Sequence, residues 1–190
     1  SKEQQDELAP LIGAVFALPF ILFSMLGGTL ANRYSKRTIV IGTKIAEIII
    51  MSVALTGLLF QQTELLIAVV FLMSTQSAFF GPSKFGLLPE MLPPSRLSWG
   101  NGYIAFGTFI AIIAGTAIAG QLTDRFSQLL WLPGLFLVGL AIVGLLCSLG
   151  IQRIPAADPQ AVLRINFLPH FIQQFRAIRR DRPLFLAIIG

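Results

Sequence analysis

Two ionisable side chains, Lys44 and Glu47, stand three residues apart inside an apolar run of membrane-spanning length, and so share one face of a helix. Ionisable groups inside a membrane are costly, and each is therefore a candidate for function. The functional interpretation is a polar site in the cytoplasmic half of the membrane that binds a zwitterionic head group or drives a gate. The alternative is an intrahelical ion pair, with Lys44 extending to the interface. We favour the ion pair for Lys44 and a functional role for Glu47.

The next apolar run carries a second polar set at helical spacing. Gln76, Phe80, Ser83 and Lys84 recur at intervals that place them on one helix face, with Gln76 near the middle of the run. In the functional interpretation, Gln76 supplies a polar group, Phe80 an aromatic wall and Lys84 a cation along one path. In the alternative, Gln76 bonds to a neighbouring helix and Lys84 marks the cytoplasmic end of the span. The sequence leaves both open.

The remaining polar candidates do not form a catalytic motif. Asn101, between two glycines at the start of the fourth run, could bond to the region of Glu90 or cap a helix. The sequence holds no Gly-x-Ser-x-Gly, no His-x4-Asp and no phosphate-cradling glycine loop. Its one cysteine, Cys147, can form neither a disulfide nor a cysteine metal cluster within the chain. We predict no catalysis, no metal and no cofactor.

Five membrane spans must position these residues. The chain has 190 residues, of which 55% are hydrophobic and 12% charged, and its mean hydropathy is +0.78. Soluble domains carry about 25% charged residues, so a water-soluble core does not suit this composition. Because a helix needs about 20 apolar residues to cross a bilayer, we predict an all-α, polytopic membrane protein. The predicted spans are 11–31, 39–60, 65–88, 103–122 and 130–151.

The orientation follows from the short turn at residues 28–37, which holds three basic residues and no acidic one. A cationic turn between two spans is typical of the cytoplasmic side. Alternation from this turn leaves only Lys2 and Arg125 outside. The predicted cytoplasmic cations are Arg33, Lys36, Arg37, Arg96, Arg153, Arg164, Arg176, Arg179, Arg180 and Arg182. Because these cations stand in short loops, membrane orientation explains them better than nucleic-acid binding does.

Residues 153–182 form a predicted cytoplasmic connection after the bundle of residues 1–152. Within it, apolar residues from Phe167 to Ile178 recur at helical spacing opposite polar and cationic ones. This pattern predicts an amphipathic helix, either on the inner leaflet or packed on the bundle as a linker. Residues 183–190 read as the start of a further span, so we expect the chain to be part of a longer protein.

The turn resembles the signature of the major facilitator superfamily, Gly-x-Leu-Ala-Asp-Arg-x-Gly-Arg-Arg/Lys. Here it reads Gly28-x-Leu30-Ala31-Asn32-Arg33-x-Ser35-Lys36-Arg37. Asn32 replaces an acidic residue that contributes to a charge contact in the family, so the resemblance implies a weaker ionic latch. It also implies a conformational gate at the cytoplasmic side, formed by Gly28, Asn32, Arg33, Lys36, Arg37 and Glu90.

Three further stretches resemble the bacterial lysophospholipid transporter branch of that superfamily. They are Lys44-Ile-Ala-Glu47 with the residues to Met51, Gln76 to Glu90, and Gly100 to Gly115. The resemblance implies helices two to six of a twelve-helix bundle, an N-terminal half without its first helix. It further implies inward transport of lysophosphatidylethanolamine by alternating access across the bacterial cytoplasmic membrane. Glu47, Gln76, Phe80, Lys84 and Asn101 would line the substrate path.

The implied partners are membrane lipids, the lysophospholipid and an acyltransferase, fused or separate. Two alternatives keep the membrane fold. One is an exporter of a small amphipathic drug or metabolite. The other is a membrane platform that anchors fused acyltransferase domains and transports nothing.

Overall fold

The computed structural model describes residues 2–126 and 129–160, and this part contains helices and no strand. The elements, in chain order, are α1 (Lys2–Arg33), α2 (Lys36–Leu59), α3 (Thr63–Gly86), the short α4 (Leu88–Met91), a 3-10 turn (Pro94–Arg96), α5 (Leu97–Arg125) and α6 (Trp131–Leu149). The expected all-α class is confirmed. The predicted amphipathic helix and the start of a further span lie outside the described residues.

Five helical segments are long and apolar enough to cross a membrane: Pro10–Arg33, Lys36–Leu59, Thr63–Met91, Pro94–Arg125 and Trp131–Leu149. Their number and order agree with the five predicted spans. Among the membrane-length segments the largest difference is in the fourth, which starts at Pro94, with α5 itself from Leu97, whereas the predicted span starts at 103. The intervening stretch is rich in small and polar residues, but a helix needs backbone hydrogen bonds rather than apolar side chains in its first turns.

Two close backbone approaches organise the packing. At Gly27, an added Cβ would overlap the carbonyl oxygen of Ala78 and lie 3.2 Å from the Cα of Phe79. At Gly134 in α6, an added Cβ would lie 3.1 Å from the Cα of Leu55 in α2. Small residues at membrane helix contacts allow backbones to approach in this way. Gly27 therefore sets the packing of α1 on α3, and Gly134 that of α2 on α6.

The buried centre lies between α2 and α3. Ile50, Ala54 and Val69 form a buried cluster, with Met51, Val53 and Met73 packed around it. By contrast, Gly100 is the only buried residue of α5, and that helix touches its neighbours mainly at α4, the 3-10 turn and α6. Apart from Glu90 in α4 and Asn101 in α5, the polar candidates therefore lie on a frame made by α1, α2, α3 and α6.

Candidate functional site

A buried ion pair joins the start of α2 to α4. The ammonium group of Lys36 contacts Oε1 of Glu90, and the side chains are 7% and 19% exposed. Lys36 is the first residue of α2, where the helix dipole disfavours a cation. The pair thus offsets both the burial of the charge and its position at a helix N-terminus. Two predicted gate residues are brought together here.

Gly86 makes room for this ion pair. A Cβ at Gly86 would lie 2.6 Å from Cε and 3.0 Å from Cδ of Lys36. The lysine stem therefore crosses α3 at a residue without a side chain before it reaches Glu90 in α4. The sequence pattern singled out the two charges but not this glycine, because glycines are common in membrane helices.

The other residues of the hairpin, residues 28–37, have different partners. Arg37 donates from Nε to the carbonyl oxygen of Ile151 (2.6 Å) and from Nη2 to that of Leu149 (3.1 Å). Arg33 lies over the ring of Tyr34, with 5.8 Å between Cζ and the ring centroid. The described contacts of Arg37 are thus with the end of α6, not with the Lys36 ion pair.

Gly28 and Asn32 contribute less direct contact than the signature motif predicts. An added Cβ at Gly28 would meet nothing within 4 Å, whereas the neighbouring Gly27 packs on α3. Asn32 has an exposed side chain, and its carbonyl oxygen accepts a hydrogen bond from the backbone N–H of Asp158 at 2.9 Å. A gate role for these two residues stays a prediction.

A second polar cluster lies between α2, α3 and α6. Lys44 donates to Oε2 of Glu47 at 2.7 Å, and its ammonium nitrogen lies 4.9 Å from the ring centroid of Phe80. An added Cβ at Gly144 of α6 would lie 3.5 Å from Nζ of Lys44. The intrahelical ion pair is thus present, and it stands directly against the aromatic residue of the predicted path.

Lys84 extends this cluster to α5. Its ammonium group donates to Oγ1 of Thr108 at 3.1 Å and lies 5.3 Å from the ring centroid of Phe85. Within the described part of the chain, it forms no ion pair with a carboxylate. Lys44 and Lys84 with Glu47 leave a net positive charge near Phe80, since Lys44 lies over the Phe80 ring and Lys84 follows Phe80 by four residues on the same face of α3.

Gln76 and Asn101 form no side-chain hydrogen bond with Lys44, Glu47 or Lys84 within the described residues. Gln76 is 8% exposed, and its Nε2 donates to the carbonyl oxygen of Thr43 at 3.2 Å, so the contact with a neighbouring helix is present. Asn101 lies inside α5, four residues after its start, and is exposed. The alternative that it caps a helix is wrong, because α5 begins before the glycine-rich stretch. A place on the substrate path stays a prediction for both.

Thr108 and Gly144 belong to the cluster but were not predicted. Thr108 also donates to the carbonyl oxygen of Ile104 at 2.7 Å, which holds its hydroxyl oxygen ready to accept from Lys84. Threonine and glycine are frequent in membrane helices. Their spacing in the sequence therefore does not identify them as site residues. That identification requires knowing which face of α5 and of α6 is turned towards the two lysines.

Asn32, which replaces the acidic residue of the signature motif, gives a first prediction. We expect Asn32→Asp to strengthen one facing state of the intact protein and to alter its transport rate, because it restores the acidic residue that the signature motif has at this position. The exposed side chain and the backbone hydrogen bond to Asp158 leave the free energy of unfolding within about 0.5 kcal/mol. Transport rates and cysteine accessibility on both membrane sides measure the effect. Identical rates and accessibility for the two versions would contradict it.

Comparison with known proteins agrees with this architecture. The family model described as Major Facilitator Superfamily matches residues 5–190. The chain is 30% identical to the lysophospholipid transporter LplT of Photorhabdus laumondii over 93% of this chain and 37% of that protein. It is 24% identical to LplT of Escherichia coli over 95% of this chain and 44% of that protein.

A third relative, LplT of Serratia proteamaculans, is 24% identical over 81% of this chain and 36% of its own length. The chain thus spans less than half the length of these curated relatives. No solved structure matches. The family match covers nearly the whole chain and agrees with five membrane-length helices. The chain is therefore a multi-pass membrane protein that belongs to the major facilitator superfamily.

Proposed function

We propose that the protein containing this chain transports a lysophospholipid inward across the bacterial cytoplasmic membrane by alternating access. The observation that carries the proposal is a net positive charge near Phe80. Lys44 pairs with Glu47 and lies over the Phe80 ring, while Lys84 bonds to Thr108 and pairs with no carboxylate among the described residues. The names of the relatives support the same cargo class. The direction and the head group, lysophosphatidylethanolamine, are parts of this proposal.

In this proposal Lys84 binds the phosphate. Its hydrogen-bond acceptor is the neutral hydroxyl of Thr108, which a phosphate oxygen can replace with a stronger, charge-assisted bond. Lys84 is half-buried, and an ammonium group in such a setting gains from a negatively charged partner because the surrounding dielectric is lower than that of water. Thr108 holds the lysine in place until the cargo arrives.

Lys44 and Glu47 select the rest of the head group. Glu47 is the one carboxylate of the cluster and is already neutralised by Lys44 at 2.7 Å. The ammonium group of ethanolamine would compete with Lys44 for Glu47, and the released Lys44 would join Lys84 at the phosphate. After the exchange Glu47 faces the ethanolamine ammonium and both lysines face the phosphate, so the head group can enter and leave without stranding a charge.

The acyl chain requires an apolar surface, and α5 supplies one beside Lys84. Ile112 is exposed one turn after Thr108, on the same face of this helix. The exposed ring of Phe85 in α3 has its centroid 5.3 Å from the ammonium nitrogen of Lys84, which donates to Thr108. An acyl chain on α5 would lie next to a phosphate on Lys84. We also propose that this chain performs no catalysis, and that an acyltransferase, fused or separate, acts on the imported lipid.

The test is uptake of fluorescent lysophosphatidylethanolamine by proteoliposomes that hold the intact transporter. We expect uptake above that of protein-free vesicles, and a reduction of at least about tenfold for Lys84→Met, since a hydrogen bond to a charged group contributes about 1.5–3 kcal/mol. Lys84→Arg keeps the cation and serves as the matched control. Full uptake by Lys84→Met would contradict the proposed phosphate site.

Two further outcomes separate the alternative functions. Uptake that a small amphipathic drug abolishes, together with transport of that drug, would indicate a drug or metabolite transporter. Protein-independent lysolipid uptake, with acyltransferase activity retained in the membrane, would indicate a platform that transports nothing. Either result would overturn the proposed cargo.

A further inference from the structure

The hairpin is joined to the chain after α6 by an ordered set of hydrogen bonds. Arg37 donates to the carbonyl oxygens of Leu149 and Ile151 at 3.1 and 2.6 Å. Ser35 donates from Oγ to the carbonyl oxygen of Ile154 at 2.7 Å. The backbone N–H of Asp158 donates to the carbonyl oxygen of Asn32 at 2.9 Å. Going backwards along the hairpin from Arg37 to Asn32, the bonded partners come later and later in the chain. Residues 32–37 and residues 149–158 therefore run antiparallel to each other.

Arg37 completes the C-terminus of α6 from a different helix. The last carbonyl groups of a helix have no intrahelical donor, and a cation there is favoured by the helix dipole. The last turn of α6 contains no basic residue. The guanidinium of Arg37 supplies both the charge and two donors, to Leu149 at the helix end and to Ile151 beyond it.

The segment 150–158 has few other ways to bond its backbone. It contains a turn and bends but no helix, and Pro155 has no N–H to donate. Its carbonyl groups at Ile151 and Ile154 are bonded to Arg37 and Ser35. The hairpin is therefore the surface on which this segment is fixed.

We propose that Arg37 is a positioning residue that docks the segment 150–158 on the α1–α2 hairpin. The docked segment moves as one body with α1, α2 and α6. A displacement of the hairpin is therefore passed to the chain that leads out of the bundle. Arg37 thereby couples the signature turn to whatever follows residue 158. This coupling is independent of the cargo.

Limited trypsin digestion of the intact, detergent-solubilised protein tests the docking. Arg153 is exposed, but cleavage after it requires local release of a backbone that Ser35 and Arg37 hold. We expect Arg37→Gln to raise the cleavage rate between Arg153 and Ile154 about tenfold, because cleavage follows the population of the open form. Mass spectrometry of the new N-terminus at Ile154 measures it.

Three variants separate docking from a general loss of structure. Arg96→Gln removes a cation from the 3-10 turn and should leave the rate at Arg153 unchanged. Arg37→Lys keeps the charge but lacks the two separate N–H donors of the guanidinium, and it should give an intermediate rate of cleavage after Arg153. Ser35→Ala removes one bond and should raise the rate about threefold, in keeping with the small net contribution of a single hydrogen bond.

The ratio of cleavage after Arg153 to cleavage after Arg125 in the same molecules supplies the internal reference. A ratio that rises in Arg37→Gln and Ser35→Ala supports the docking. A ratio equal to that of the unchanged protein, or equal rises at both sites, would overturn it. Neither result depends on whether the protein transports a lysophospholipid, so failure here and failure of the proposed function are distinguishable.

Discussion

Replacement of Gly27 by alanine is expected to lower the free energy of unfolding by about 3 kcal/mol, whereas the same replacement at Gly28 is expected to be neutral or stabilising. An added Cβ at Gly27 would overlap the carbonyl oxygen of Ala78 and crowd Phe79 Cα at 3.2 Å. The obstacle is backbone rather than a flexible side chain, so α1 and α3 must separate. Overpacking typically costs about 1–3 kcal/mol, and a backbone clash belongs at the upper end.

Gly28 offers the matched control for this prediction. It is in the same helix and is the first residue of the signature, yet a Cβ there meets nothing within 4 Å. Alanine is favoured over glycine by about 1 kcal/mol in a helix interior. Thermal unfolding in detergent, read for both variants, measures the difference. A Gly28→Ala protein that is less stable than Gly27→Ala would contradict the packing of α1 on α3.

The second large effect is expected at the buried ion pair. Glu90→Gln should destabilise the protein by about 3 kcal/mol, because it leaves the charge of Lys36 buried without a counter-charge. Lys36 is 5% exposed and stands at the start of α2, so neither water nor the helix dipole can compensate. The loss should appear as a lower midpoint of thermal unfolding.

A double-mutant cycle identifies the cause. Lys36→Met alone leaves Glu90 buried without its cation and should also destabilise, while Lys36→Met with Glu90→Gln removes both charges. We expect the double variant to be more stable than the sum of the single losses predicts. Additive losses would show that the two side chains do not act as a pair. Arg96→Gln, which removes an exposed cation, should stay within about 0.5 kcal/mol.

The fold could be predicted because its signals are local. Runs of apolar residues define membrane helices by length alone, and five helices of that length are present. Lys36 and Glu90 were both assigned to the gate, but their pairing was not predicted; the structure joins them in an ion pair. The length of an apolar run and the position of a charge in the sequence do not depend on how a helix is rotated about its own axis.

The details of the site depend on rotation, which the sequence pattern does not contain. Gly27 and Gly28 differ by about 100° around α1, and packing alone decides that Gly27 meets α3. Gln76 shares a face with Lys84 in the sequence pattern, yet it bonds to Thr43 in α2. Arg37, assigned to the gate, reaches the end of α6, which lies more than one hundred residues away in sequence.

The central claim is that Lys84 recognises the phosphate of a lysophospholipid, and head-group discrimination tests it most directly. The measurement compares uptake of a lysophospholipid with uptake of a monoacylglycerol of the same acyl chain, by the intact transporter and by Lys84→Met. Lys84 donates to Thr108 at 3.1 Å and has no carboxylate partner in the described part of the chain. We predict that the unchanged protein prefers the phosphate-bearing lipid by about tenfold or more, and that Lys84→Met loses this preference. An equal preference in both proteins would contradict the claim.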